Sequence, residues 1–422
     1  MDFITFVLRL GLDPDCFENR LSGPEASGDG FVYRLYQRDD VRECPHCHSK
    51  DAVVRDRHLA RVNCSTSGGV RDTALILKVR FTCKACGRTF TPPIRGVSRY
   101  ATVSDLTKAQ IRNEFLTNQT FSSIARRYGV DESYAVRLFD ADYPTVPGLR
   151  LPEVMCIDEI RFNRRDDERF PCVVYDWRRR EVVDLAVSRR REFLDDFFSS
   201  KRQEELDGVR YFVSDMYDAY AAVKRVYFPK AIHIVDFFHV AALLTNAVGK
   251  LRVNAMNALE KGSPEYAFMK SKWRLFLCRR SKVPDKTITR RNGEVEHYDD
   301  LLFRCVRSTR NLWDGYDILQ ELLSYREYDT FTEAIAFVER ISGRLQSCPS
   351  ELLKTVGRSY WHWRVEIASG LARNQSGEHF SNGVAEGLNN QIKTIKKLAN
   401  GYDNFGRFRK RVLLALTYSK KP

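Results

Sequence analysis

The chain has 422 residues, 29% charged and 43% hydrophobic, with a formal net charge of +14 and a pI near 9.2. That length allows two to four domains with ample core, and no run of about 18 apolar residues is present to form a membrane-spanning helix. The start "MDFITFVLRLGLDPD" is acidic and its apolar part is short, so it does not read as a secretory leader and a cytoplasmic protein is expected. The basic excess favours a polyanionic partner, most commonly nucleic acid; a merely basic protein is the plainer alternative.

Residues 1–40 carry no usable motif and are set aside as an N-terminal extension. A zinc ribbon is expected over 41–97. "ECPHCHSK" supplies Cys44 and Cys47, and "RFTCKACGRTF" supplies Cys83 and Cys86. Each CxxC forms a knuckle presenting two thiolates, and two knuckles complete the four-cysteine set that structural Zn2+ prefers. The long gap between them alternates like two strands in "VVRDRHLARVN" and "TALILKVRF", which suits a hairpin. His46, His48 and Cys64 are substitute ligands, and a redox pair is the weaker alternative because no thioredoxin-like pattern surrounds either CxxC. The remaining seven of the eleven cysteines are scattered and read mostly as core thiols.

A helix-turn-helix is expected over 98–146. Ser104 or Asp105 can cap a first helix, Thr120 a second ("FSSIARRYG") and Asp131 a third ("ESYAVRLF"). Gly129 supplies the left-handed turn between the last two. In that geometry the third helix enters the major groove, which makes Glu132, Ser133, Tyr134 and Arg137 candidate DNA contacts. A generic three-helix packing unit is the alternative. "YPTVPGLRLP" then reads as a linker.

From residue 150 the pattern changes to strands. "EVMCIDEIRF" carries Asp158 near its end, "RFPCVVYDW" and "EVVDLAVS" form a hairpin, and "EFLDDFFSSK" is a helix. "GVRYFVSDMYDAY" is a strand ending at Asp215 with a helix behind it, and "AIHIVDFFHV" is a fifth strand ending at Asp236. Three strands, helix, strand, helix, strand fit a mixed ribonuclease-H-like sheet. A strand-end aspartate is usually a turn or cap residue. Two on neighbouring strands repel unless a cation lies between them, and Mg2+ suits such a set because it takes hard oxygen ligands and leaves room for water and phosphate.

Residues 240–378 read as a largely helical, basic and aromatic segment, with "KVPDKTITRRNGEVEHYDD" as an exposed loop. Trp361 and Trp363 suit helix packing better than base stacking. Past it, "SNGVAEGLNNQIKTIKKLAN" is an amphipathic helix with Asn382 in capping position. Glu386, Asn390, Lys393 and Lys397 form its polar stripe, and Leu388, Ile392, Ile395 and Ala399 the opposite one. The small residues Gly383, Ala385 and Gly387 are expected to let the helix lie close to the sheet.

Taken in order, the cysteine ribbon, the helix-turn-helix, "CIDEIRF", "FVSDMYDAY", "FPKAIHIVDFFHV" and "NGVAEGLNNQIKTIKKLANGYDNFGRFRKRVL" make the chain resemble a bacterial insertion-sequence DDE transposase of the ISL-three family. The resemblance covers nearly the whole length. It implies a catalytic core over 150–239 and 379–422, interrupted by the helical insertion, with a triad of Asp158, Asp215 and Glu386 binding Mg2+ or Mn2+. It implies that the N-terminal modules bind terminal inverted repeats and that the enzyme cleaves and joins DNA strands. Asp236 and His239 match an Asp-x-x-His signature of related transposases, with a core histidine as the alternative reading of His239. Asn390, Lys393 and Lys397 then hold phosphates leading away from the metal. A synapse of paired ends implies at least a dimer, in a nucleoid-associated bacterial protein. The competing reading is a catalytically silent DNA-binding regulator or domesticated transposase; the presence of all three carboxylates favours the enzyme. A ribonuclease-H-like nuclease without strand transfer is separated from it only by the resemblance.

Overall fold

The computed structural model describes the chain except residues 1, 21, 29, 66–69, 163–169, 290–292, 294, 326, 375, 400, 401, 403 and 419–422. It is mixed α/β and divides into two units, Met1–Pro147 with Gln391–Pro422, and Gly148–Asn390.

In the first unit, helix α1 (Phe3–Arg9) leads into a sheet of order β1-β2-β4-β3, with β5 added on β4. The strands are β1 (Ser22–Ser27), β2 (Gly30–Tyr36), β3 (Ala52–Asn63), β4 (Thr73–Cys83) and β5 (Thr89–Phe90). β3 and β4 are the hairpin between the two CxxC pairs, antiparallel from Ala52↔Cys83 to Asn63↔Thr73. Residues 1–40 are not an appendage. β2 runs parallel to β4, in register from Val32↔Thr73 to Tyr36↔Leu77, and Val7, Leu10, Leu12, Phe17 and Leu35 are buried with Val62, Ile76 and Ile94. The physical reason is that the buried first half of β4, Thr73–Leu77, needs hydrogen-bond partners for its backbone on both edges.

Three helices follow: α2 (Asp105–Glu114), α3 (Phe121–Tyr128) and α4 (Glu132–Asp142). Ser104 and Thr120 cap the first two by accepting from the N–H groups of Thr107 and Ser123. Asp131 stands at the start of α4 without a side-chain capping bond, which departs from expectation. Gly129 takes φ +62° and closes α3 as a left-handed residue. Phe115, Phe121 and Phe139 meet edge to face at the centre.

Beyond residue 390 the closing segment groups with the first unit. The last α-helix (Phe405–Leu413) buries Arg411, 1% exposed, whose guanidinium donates to the carbonyls of Phe115, Thr117 and Gln119 where α2 passes into α3. Arg407 and Lys410 pair with Asp140 of α4 at 2.7 and 3.0 Å. Buried carbonyls at and beyond a helix end need donors, and one arginine fork serves three of them between α2 and α3.

In the second unit the sheet order is β10-β9-β6-β7-β8. These are β6 (Val154–Glu159), β7 (Cys172–Asp176), β8 (Glu181–Ala186), β9 (Tyr211–Ser214) and β10 (Ile232–Val235). β6, β7 and β8 are antiparallel neighbours, while β9 and β10 run parallel to β6. Helices α5 (Arg191–Ser199), α6 (Gln203–Asp207) and α7 (Asp218–Tyr227) follow β8 and β9, burying Leu194, Phe198, Leu206, Tyr220 and Val223 with Met155, Ile157 and Phe212.

After β10 the chain is mainly helical: α8 (Phe237–Asn257), α9 (Pro264–Ser271), α10 (Tyr298–Val306), α11 (Arg310–Leu323), α12 (Phe331–Ser347), α13 (Glu351–His362) and α14 (Arg364–Leu371). Their core includes Leu244, Val248, Leu319, Ile341, Leu345 and Leu353. The segment read as a loop instead forms a small hairpin, β11 (Thr287–Thr289) with β12 (Val295–His297); its tip lies outside the described residues. Trp363 is buried and Trp361 is 46% exposed against Arg364. Gly370 of α14 touches edge strand β10, where a Cβ would sit 2.2 Å from the Val235 carbonyl. α15 (Gly383–Leu398) then starts in this unit and runs on past Asn390.

Candidate active site and metal centres

The carboxyl ends of β6, β9 and β10 carry one aspartate each. β6 and β9 pair in parallel as far as Cys156↔Val213, and Asp158 and Asp215 each follow that pair by two residues. β10 pairs with β9 at Val235↔Ser214, so Asp236 follows beside Asp215. The carboxyl ends of parallel strands are where open α/β sheets place their ligands.

The three aspartates are held differently. Asp158 accepts from the Glu159 backbone N–H through Oδ1 and from Asn389 Nδ2 through Oδ2, both at 2.8 Å. Asp215 Oδ1 is buried without a hydrogen-bond partner. Burial first, then the charge of Glu159, pushes the Asp215 carboxyl up to about 7; Asp158 adds to the rise, while His239 and Arg189 oppose it. A carboxylate with an orphaned buried oxygen beside a second carboxylate suits a cation. Asp236 is buried, and its Oδ1 accepts from the Asn382 N–H at 3.1 Å, anchoring the start of α15.

Glu386 lies in the first turn of α15 and is exposed. Among the described residues the three triad carboxylates do not gather within 4.8 Å of one another; the four ribbon cysteines do. Asn389, one turn further on, reaches inward. It is 4% exposed, and besides Asp158 it accepts from the Tyr175 hydroxyl of β7. Asn390, Lys393 and Lys397 are exposed. Asn382 stands at the head of α15, its carbonyl accepting from the Ala385 and Glu386 N–H groups, but its side chain makes no capping bond, since its Oδ1 is buried without a partner. Ala385 is fully buried, but a Cβ at Gly387 would meet nothing within 4 Å and one at Gly383 only Ser381 at 3.6 Å, so close approach rests on Ala385 rather than on the glycines. The segment before α15 is tied to the β7–β8 turn by Trp177 Nε1 donating to the Ser381 carbonyl (3.0 Å) and by the Arg178–Glu378 pair (2.7 Å).

Sequence reading passes over Glu159, Asn389 and Tyr175. Glu159 pairs with Arg189 at 2.7 Å, and its signal was its place beside Asp158 in "CIDEIRF". Asn389 sits between an expected polar stripe and an expected apolar one.

In the first unit the four cysteine sulfurs come together. Cys44–Cys86 and Cys47–Cys83 are 3.7 and 3.6 Å apart. Tetrahedral Zn2+ with sulfurs at about 2.3 Å requires about 3.8 Å between them, and a disulfide about 2.05 Å, so the set fits zinc. The two knuckles repeat each other. The His48 and Gly87 N–H groups donate to the Cys44 and Cys83 carbonyls, and Cys44 and Cys83 donate to Ser49 and Arg88. His48 (φ +59°) and Gly87 (φ +70°) take the same left-handed position. The substitute ligands fall away: His48 reaches Glu43, His46 reaches Arg88, and the buried Cys64 thiol points at the Val62 carbonyl. On α4, Glu132, Ser133 and Arg137 are exposed and Tyr134 is half-buried.

Residues 155–412, well over half of the chain, match the family model DDE_Tnp_ISL3, described as Transposase, and the chain belongs to that family of transposases. It is 22% identical over 395 residues to the transposase for insertion sequence element IS1001 of Bordetella parapertussis, across 91% of each protein. No described helix is long and apolar enough to cross a membrane.

Proposed function

We propose that the chain binds the terminal inverted repeats of its own insertion sequence and cleaves and joins DNA there by metal-dependent phosphoryl transfer. The observation that carries this reading is the pair Asp158–Asp215 at the ends of neighbouring strands, with one buried oxygen of Asp215 left without a partner and family membership behind them. The sheet order, with β6 central between an antiparallel and a parallel neighbour, supports a ribonuclease-H-like core.

Asp158, Asp215 and Glu386 would hold Mg2+ or Mn2+, which when bound neutralises phosphate charge and activates an attacking oxygen. The chain's own residues prepare that site. Asn389 and the Glu159 N–H fix the plane of the Asp158 carboxylate. Asp215 must lose its proton to serve as a ligand, and His239 nearby favours the charged form. Asp236 holds the first turn of the helix that bears Glu386. Lys393 and Lys397, exposed on the same helix, offer charge to phosphates beyond it. Cys44, Cys47, Cys83 and Cys86 hold structural Zn2+, and α2–α4 act as a helix-turn-helix whose α4 presents Glu132, Ser133, Tyr134 and Arg137 to DNA. Paired ends require at least a dimer in the active complex.

The exposed position of Glu386 is what favours the second reading, a DNA-binding protein without chemistry. Purified protein with labelled element ends and Mg2+ separates the two. Cleaved and joined products that vanish in Asp215→Ala support the enzyme; binding without products supports the silent form.

A further inference from the structure

A cleft of about 830 Å³ opens in the first unit between the sheet and the turn from α3 to α4. Arginines from four separate segments line it: Arg61 of β3, Arg71 just before β4, Arg126 of α3 and Arg137 of α4. Asp131 is the single acid among the described lining residues. Arg61, Arg126 and Arg137 are exposed, and no carboxylate of the described residues pairs with them. Three such exposed guanidiniums around one concavity repel one another, and an anion in the cleft would relieve that repulsion.

The walls are fixed. Asn63 at the end of β3 donates through Nδ2 to the carbonyls of Tyr128 and Gly129, at 2.8 and 2.9 Å. The Ser104 N–H donates to the Asn63 carbonyl, and Thr107 Oγ1 donates to the Ser65 carbonyl, both at 2.9 Å. Arg71 donates to the Arg126 carbonyl at 3.1 Å and lies against Gly129, where a Cβ would come within 3.2 Å of its side chain. Sheet and helices therefore form one preorganised surface, which lowers the ordering cost of binding.

Resting on the DNA-binding reading above, we infer that this cleft clamps the sugar–phosphate backbone of the strand bordering the groove that α4 enters. The guanidinium fork matches phosphate oxygens, and the volume accommodates a stretch of backbone rather than a single phosphate. Tyr134 and Arg137 line the cleft and also belong to the face of α4 offered to bases, so a strand seated here runs alongside that face. Contacts of this kind fix register and carry no sequence information.

The test is the salt dependence of binding by the full chain, for wild type and an Arg61→Ala/Arg126→Ala double variant. Two labelled duplexes are used, one carrying the element's end and one of unrelated sequence. Each lost phosphate contact lowers the slope of log affinity against log salt by about 0.9. The double variant is expected to show a slope about two units shallower on both duplexes, with unchanged melting temperature and zinc content. An unchanged slope, or a loss confined to the element's end, overturns the clamp. A wild-type protein that binds neither duplex instead removes the DNA-binding reading on which the clamp rests.

Discussion

Asn389 donates from Nδ2 to Asp158 Oδ2 at 2.8 Å, joining the helix of Glu386 to the strand that bears the first aspartate of the candidate triad. An ionised carboxylate can only accept, so the amide nitrogen must face Asp158 and the amide oxygen must face Tyr175, whose hydroxyl donates to it. The Asp158 end thus sets the orientation of the amide, since a hydroxyl can donate or accept.

Asn389→Ala is expected to leave the buried Tyr175 hydroxyl unsatisfied and Asp158 free to turn, costing about 1–3 kcal/mol of stability. Loss of such a supporting bond typically weakens metal affinity or activity by about 10–100-fold. Cleavage assayed across a Mg2+ titration should show the half-saturating metal concentration rising. A fall in the maximal rate at unchanged metal dependence would mean that Asn389 acts only on folding.

The titration of Asp215 gives a signed pH prediction. Its folded pKa of about 7 lies above the ordinary value near 3.9. A group raised in this way binds its proton more tightly in the folded state. Its contribution is therefore fully present below about pH 4 and lost as pH rises towards 7. In chelator, wild-type melting temperature should carry a falling component over that window that Asp215→Asn removes, leaving the variant more stable than wild type at pH 8. Mg2+ should stabilise wild type more at pH 8 than at pH 6. Equal stabilisation at both would contradict a protonated, metal-free Asp215.

Zinc removal tests the ribbon. Cys83 ends β4, whose neighbour Ala52 opens β3, so losing the metal frees the far end of the hairpin. Cys83→Ser/Cys86→Ser should lose bound zinc and weaken binding to element ends while leaving the Asp215 pH signature intact. Full zinc occupancy in that variant would exclude the four-sulfur site.

Arg411→Met removes a fork that serves three backbone carbonyls in a buried setting. A loss of about 2–4 kcal/mol is expected, with Arg411→Lys a poor rescue because an ammonium lacks the planar fork. Chemical denaturation should show it, and DNA binding should fall with it. A variant as stable as wild type would mean that the closing helix does not support the three-helix group.

What was legible in the sequence was local. Knuckle spacing, the caps Ser104 and Thr120, the left-handed Gly129 and the aspartates at strand ends each need only a few neighbouring residues. What was missed was set by distant partners. The parallel pairing of β2 with β4 spans some 40 residues, and nothing local in "GFVYRLY" names its partner. Arg411 carries a charge, and sequence patterning places charges outside; only carbonyls nearly 300 residues away make its burial tolerable. On α15 the polar stripe through Glu386 and Asn390 is exposed, although the resemblance implies an inward, metal-binding Glu386; one residue of helical phase, about 100°, separates Asn390 from the inward-reaching Asn389.

The most direct test incubates the protein with labelled element ends and Mg2+, comparing wild type with Asp158→Ala, Asp215→Ala and Glu386→Ala at matched DNA occupancy. The account predicts cleaved and joined products from wild type alone, with a loss of at least about 10³-fold in each variant. Undiminished products from Glu386→Ala would contradict the assignment of that glutamate to the site, and undiminished products from Asp215→Ala would contradict the account as a whole.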